Sequence, residues 1–136
     1  MYIIYAKDGY FYLYGGGVWT KEEETMIQVM LRDILQEPKF GVWTLKREKE
    51  YMEALKRTVY YNGEMNPIKN YINLKNCLFN TDDFSVRNHS ADFLSSIKIP
   101  VEYDGSARCP RFLEFLKVCF QNDEERIIVA QEWLGY

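Results

Sequence analysis

Tyr2-Ile3-Ile4-Tyr5-Ala6-Lys7-Asp8-Gly9-Tyr10-Phe11-Tyr12-Leu13-Tyr14 sets two short aromatic and β-branched runs on either side of Asp8-Gly9. An Asp-Gly pair supplies the positive backbone angles of a tight turn, so residues 2–14 are expected to form a β-hairpin. Tyr10, Tyr12 and Tyr14 alternate with Phe11 and Leu13, which places apolar groups on both faces of the ribbon. One face is therefore expected to stay uncovered by this domain alone.

Outward from the hairpin, Gly15-Gly16-Gly17 reads as a flexible turn and Thr20-Lys21-Glu22-Glu23 as a capping box that starts a helix. That helix is expected to reach about Gln36, with Met26, Ile27, Met30, Leu31, Ile34 and Leu35 as its stripe and Pro38 as its stop. Thr44 caps a second helix reaching about Tyr60, with Leu45, Met52, Leu55 and Val59 on one side and Lys46, Lys49, Lys56 and Arg57 largely on the other. From Asn70 to Val86 the period changes to two, with a turn at Asn80-Thr81-Asp82-Asp83, and Ser96–Tyr103 reads as one more extended stretch. Pro110 begins a third helix, and Asn122 and Glu125 bracket a fourth. The expected fold is α+β: an N-terminal β-hairpin, two helices, a small central β unit and two C-terminal helices, taken as a single domain over residues 1–136.

Composition sets outer bounds. The chain has 136 residues, 47% hydrophobic and 27% charged, and a domain of that size buries roughly 68–70% of its unfolded surface. Disorder is excluded as the main state. The start lacks a basic region followed by a hydrophobic core, and no apolar run approaches the ~20 residues that cross a bilayer, so a cytoplasmic protein without membrane contact is expected. Cys77, Cys109 and Cys119 form no close pair and read as small buried hydrophobes in a reducing compartment. Aromatic residues make up 16% of the chain, and these rings must either fill the core or form stacking surfaces.

Charge is uneven. Residues 1–37 carry −3, residues 38–75 carry +4 and residues 76–136 carry −4, for a net charge of −3. A globally acidic protein repels a polyanion at long range, which leaves the middle segment as the one place for a phosphate-tracking face. The candidates there are Lys46, Arg47, Lys49, Lys56 and Arg57, helped by Lys75 and Arg111. Their competing role is a solvated helix surface laced with Glu48, Glu50 and Glu53 at three- and four-residue spacing.

The enzymatic patterns fail one by one. Gly15-Gly16-Gly17-Val18-Trp19-Thr20-Lys21-Glu22 lacks the second glycine and the magnesium-binding hydroxyl of a phosphate loop. His89 and Ser90 are neighbours, and neighbours in a strand point to opposite faces. Asp82 with Asp83, and Glu102 with Asp104, lie in or beside turns, where such residues are common for local reasons. A small metal-dependent nuclease using Asp82, Asp83 or Asp104 is the remote enzymatic alternative.

Five ordered blocks carry a family resemblance: Ile72-Asn73-Leu74-Lys75-Asn76-Cys77-Leu78-Phe79-Asn80, Arg87-Asn88-His89-Ser90, Ile99-Pro100-Val101-Glu102-Tyr103-Asp104, Cys109-Pro110-Arg111-Phe112-Leu113-Glu114-Phe115-Leu116, and Gln131-Glu132-Trp133-Leu134-Gly135-Tyr136. Together they resemble the phage and plasmid primase-helicase family that includes the poxvirus primase-helicase, in the domain immediately before the superfamily 3 helicase motor. Trp19 after an aromatic hairpin fits the same family, and Cys77 departs from it, standing where glycine is usual. The resemblance implies a non-catalytic accessory module of a viral or mobile-element replication protein, with no catalytic residue and no cofactor of its own. ATP and magnesium would belong to the motor. It also implies three partners: DNA, held weakly by the domain alone; the motor of the same polypeptide; and further copies in a homo-oligomer. On that reading the apolar end at Leu134-Gly135-Tyr136 is expected to be a cut. A collar without DNA contact is the alternative, packing through Tyr10, Tyr12, Tyr14, Ile128, Trp133 and Tyr136.

Overall fold

The computed structural model describes residues 2–134. It is an α+β fold that divides into two compact units, residues 1–103 and 104–136. None of the described helices is long and apolar enough to cross a membrane.

In the first unit, β1 (Tyr2–Ala6) and β2 (Phe11–Gly15) form the expected hairpin. Tyr2 pairs with Tyr14 and Tyr5 with Phe11, and Gly9 takes the required positive φ of 83°. The chain does not then enter a helix. Val18–Glu22 is a third strand, β3, antiparallel to β2 with Tyr14 opposite Trp19 and Leu13 opposite Thr20. The expected capping box at Thr20 and Glu23 is thus corrected, since Thr20 lies exposed in a strand and Glu23 precedes the helix without a side-chain cap. The reason is Trp19, which is only 3% exposed and donates its indole N–H to the Ala91 carbonyl at 2.9 Å. Burying so large a side chain outweighs the local preference of a threonine for a helix start.

Helix α1 (Glu24–Leu35) follows, and α2 (Leu45–Thr58) starts as expected at Thr44, whose hydroxyl accepts from the Arg47 amide at 3.2 Å. α2 ends two residues before the expected Tyr60. Tyr60–Tyr61 instead forms β4, parallel to β1, giving a mixed sheet in the order β3-β2-β1-β4.

The sheet is covered on both sides. Phe11, Ile3, Tyr5 and Leu13 meet Ile27 and Met52 of the two helices, while Ala6, Tyr12 and Trp19 meet Met65, Ala91 and Leu94. The expectation of an uncovered hairpin face is corrected by that second cluster, which the irregular chain beyond α2 supplies from residues distant in sequence.

A second, antiparallel sheet consists of β5 (Tyr71–Asn73), β6 (Leu78–Asn80) and β7 (Val86–Arg87). The turn between β5 and β6 closes with the Leu74 amide on the Cys77 carbonyl at 2.9 Å, and Cys77 is not among the positive-φ residues. Cysteine in place of glycine therefore puts no strain on this turn. The extended stretch at Ser96–Tyr103 makes only one isolated bridge, Ile99 parallel to Leu74.

The second unit holds α3 (Pro110–Cys119) and α4 (Glu124–Trp133). Gln121 and Asn122 turn the chain between them in left-handed conformation, and the Asn122 amide returns to the Lys117 carbonyl. The cap of α4 is Asp123, one residue beyond the expected Asn122, with its carboxylate accepting from the Arg126 amide. Asn122 is committed to closing α3, which leaves the cap to its neighbour.

Candidate nucleic-acid and docking surfaces

The basic residues of α2 have divided duties. Lys56 reaches Glu24 of α1 at 2.9 Å and Glu53 at 3.4 Å, and its ammonium lies over the Tyr5 ring. Hydrogen bonding to Glu24 holds it above its ordinary pKa. Arg47 donates to the Val42 and Phe40 carbonyls at 2.8 and 2.9 Å, tying down the loop before the helix. Lys46 stands exposed, 3.9 Å from Glu50. Lys49 and Arg57 are exposed as well. At 3.6 residues per turn, Lys46, Lys49 and Arg57 share their face with Glu50 and Glu53, so the exposed side of α2 is mixed in sign.

Glu48 was not visible as a special residue in the surface-pair reading. It is 4% exposed and accepts from Arg32 Nε and Nη2 at 2.9 and 3.0 Å and from the Trp43 indole at 2.8 Å. The arrangement fastens α1 to the start of α2 by a bidentate pair with an aromatic lid, since the Arg32 guanidinium also lies over the Trp43 ring. A signal was present: Glu48 falls on the same helical stripe as Met52, Leu55 and Val59, where a carboxylate needs a buried partner.

Lys75 pairs with Glu102 at 2.7 Å in a ladder that brings separate sequence blocks together. The Ile99 amide donates to the Asn73 carbonyl at 2.8 Å and the Lys75 amide to the Val101 carbonyl at 2.9 Å. The Asn76 side chain then grips Tyr103 twice, accepting from its amide at 2.8 Å and donating to its carbonyl at 3.0 Å. His89 Nε2 lies 2.8 Å from the Leu74 carbonyl, and the His89 ring sits where a Cβ on Gly17 would fall, at 2.6 Å. Asn73, buried, donates to the Gly17 carbonyl at 2.9 Å and to Ser95 Oγ at 3.2 Å. The Asn, His and extended blocks thus act as connectors between the two sheets of the first unit. Arg111 is exposed on α3 of the second unit.

The aromatic candidates also separate. Tyr12 is buried, with its hydroxyl donating to Asp8 at 2.9 Å, and Tyr14 is half-buried with its ring centroid 5.4 Å from that of Trp19. Tyr10 is exposed at the hairpin end under the Lys21 ammonium, 3.5 Å from its ring centroid. In the second unit Ile128 and Trp133 are exposed; Tyr136 lies outside the described residues.

The acidic candidates are turn residues. Asp82 accepts from the Asn70 side chain, Asp83 from the Ser85 amide and Asp104 from the Ser106 amide and hydroxyl. Among the described residues no group of three or more His, Cys, Asp or Glu is placed to hold a metal ion.

The class of protein defined by this arrangement is an α+β domain in which the blocks at residues 72–80, 87–90 and 99–103 serve as scaffold connectors within the first unit. The chain belongs to the family described as D5 N terminal like, whose profile matches residues 1–121. The match takes in the hairpin, both sheets, α1, α2 and α3, and ends before α4. No curated protein matches the chain.

Proposed function

We propose that this chain is the non-catalytic accessory module standing before a superfamily 3 helicase motor in a viral or mobile-element replication protein, and that it works by docking onto the motor of the same polypeptide. Family membership supports the setting. The observation that carries the docking is the second unit, where Leu116 and Ile127 are buried while Phe115, Val118, Ile128, Val129, Trp133 and Leu134 stay exposed, Val118 at 78% and Trp133 at 86%. Apolar residues at 127, 128, 129, 130, 133 and 134 spread around α4 rather than along one stripe, the pattern of a helix covered on more than one side. Covering one such side chain is worth roughly 1.5–3 kcal/mol, so a few of them suffice to hold a neighbouring domain.

Replacing Val118 and Trp133 together by aspartate tests the joint. Exposed positions carry little of the fold, so the chain alone should keep its stability to within about 0.5 kcal/mol per site. Joined to the motor, the variant should release this domain from it, read as a larger radius of gyration by small-angle X-ray scattering. An unchanged radius would sink this reading.

DNA contact is the second reading, favoured by Lys49, Arg57 and Arg111, which stand exposed and have no bonded partner among the described residues. Lys46, Arg47, Lys56 and Lys75 have intramolecular partners to leave first. Fluorescence anisotropy with single-stranded DNA should give weak, salt-sensitive binding, and changing Lys49 and Arg57 to glutamine should lower the salt slope by roughly 0.7 for each lost phosphate contact. Equal slopes would remove α2 from the DNA path.

A further inference from the structure

Asn73 is only 5% exposed, and half of its side chain is unpaired. The amide group donates to the Gly17 carbonyl at 2.9 Å and to Ser95 Oγ at 3.2 Å, while the buried Oδ1 has no hydrogen-bond partner among the described residues. A buried acceptor without a donor is costly, so native folds seldom keep one without a use for it. Asn73 stands in the wall of a cavity of about 290 Å³ inside the first unit. The rest of the wall is largely apolar: Ile68, Ile72, Leu78, Phe93, Ile97 and Ile99 line it, with Tyr71 packed edge-on against Phe93 at 4.8 Å between centroids. Asn66 and Ser95, also in the wall, are bonded within the protein. Asn66 donates to Ser96 Oγ at 2.7 Å and accepts from the Ser96 amide at 2.8 Å, and the Ser95 hydroxyl donates to the Ile97 carbonyl at 2.8 Å.

We propose that this cavity binds a neutral, fused two-ring aromatic carrying one N–H donor, with indole as the parent compound. Size sets the ring count. A cavity of about 150 Å³ lined by Leu, Ile and Phe holds one benzene, so roughly twice that volume has room for two fused rings. The unpaired Oδ1 sets the polar group, because it calls for a donor, and an indole ring offers one N–H and no acceptor that the aliphatic walls would leave unpaired. Neutrality follows from Lys69, the one charged residue of the wall, whose Nζ donates to the Asn66 carbonyl at 3.1 Å. An ammonium or guanidinium donor would meet that like charge and no carboxylate. A nucleobase fits less well. Asparagine reads adenine with its oxygen and its amide together, and here the amide is already spent on Gly17 and Ser95.

The test titrates indole, benzofuran and a blocked Gly-Trp-Gly peptide into the isotopically labelled chain and follows its amides. Indole should bind saturably and shift residues 72, 73, 78, 93 and 97. Benzofuran has the same shape with a ring oxygen in place of the N–H, and it should bind roughly tenfold more weakly or worse, since it sets an acceptor against Asn73 Oδ1. The peptide separates two sources of the same ring: shifts at the same residues assign it to a tryptophan side chain of a partner, and silence assigns it to a free small molecule. Ile68→Glu combined with Ile97→Glu places carboxylates in the partly exposed wall. That variant should keep the thermal midpoint and lose indole affinity by roughly tenfold or more. The benzofuran comparison stands on the parent chain alone, whatever the variant does to folding. Equal binding of indole and benzofuran, no saturation, shifts confined to other residues, unchanged affinity in a folded double variant, or adenosine bound as tightly as indole would each overturn the proposal.

Discussion

Glu48 holds three hydrogen bonds from Arg32 and Trp43 at the junction of α1 and α2. The Arg32 hydrogen bonds set its carboxyl below the usual value of 4.5, against the opposing effect of burial, and the Trp43 N–H adds to the lowering. A carboxyl whose pKa is lowered by folding stabilises the native state above its unfolded pKa. That contribution is lost as pH falls from the ordinary carboxyl range through the lowered folded value. The thermal midpoint of the parent chain should therefore drop on acidification from neutral pH to below 4.5, and Glu48→Gln should flatten that dependence while lowering the midpoint at pH 7. Parallel pH profiles for the two proteins would place the acid sensitivity elsewhere.

Thr20 and Thr44 carry the same local signal at the element scale, yet only Thr44 caps a helix. The Thr44 hydroxyl oxygen accepts from the Arg47 amide at 3.2 Å, whereas Thr20 sits opposite Leu13 in β3. Thr44→Ala should cost about 1 kcal/mol in urea unfolding. Thr20→Val should be neutral or slightly stabilising, because a β-branched residue suits an exposed strand position. The reverse pattern would restore a helix start at Thr20. Capping motifs at Thr44 and Pro110, the hairpin at Asp8-Gly9 and the period-two run after Asn70 were legible because each rests on neighbours within a few residues. The third strand was not legible, because Trp19 is fixed by Ala91, 72 residues away.

At the scale of the whole molecule, the first unit has two buried clusters, one on each side of its mixed sheet, while among the described residues of the second Leu116 and Ile127 are buried. Amides of β1, β2 and α1 should therefore exchange slowest in native-state hydrogen exchange. Those of α3 and α4 should exchange about tenfold faster or more, which needs only about 1.4 kcal/mol less opening free energy. Equal protection throughout would mean that the units open as one. The candidate surfaces divide along the same line of reasoning. Positive charge at 46, 47, 49, 56 and 57 was visible in the sequence, but its use was not, since Arg47 and Lys56 are drawn into intramolecular bonds that linear spacing does not display. The sequence alone determined the α+β class, the helix starts at Thr44 and Pro110 and the family, because turn chemistry, periodicity and ordered motif blocks are local properties. Only the tertiary structure decided which charges and rings remain free to meet a partner, because burial depends on contacts between residues far apart in the chain.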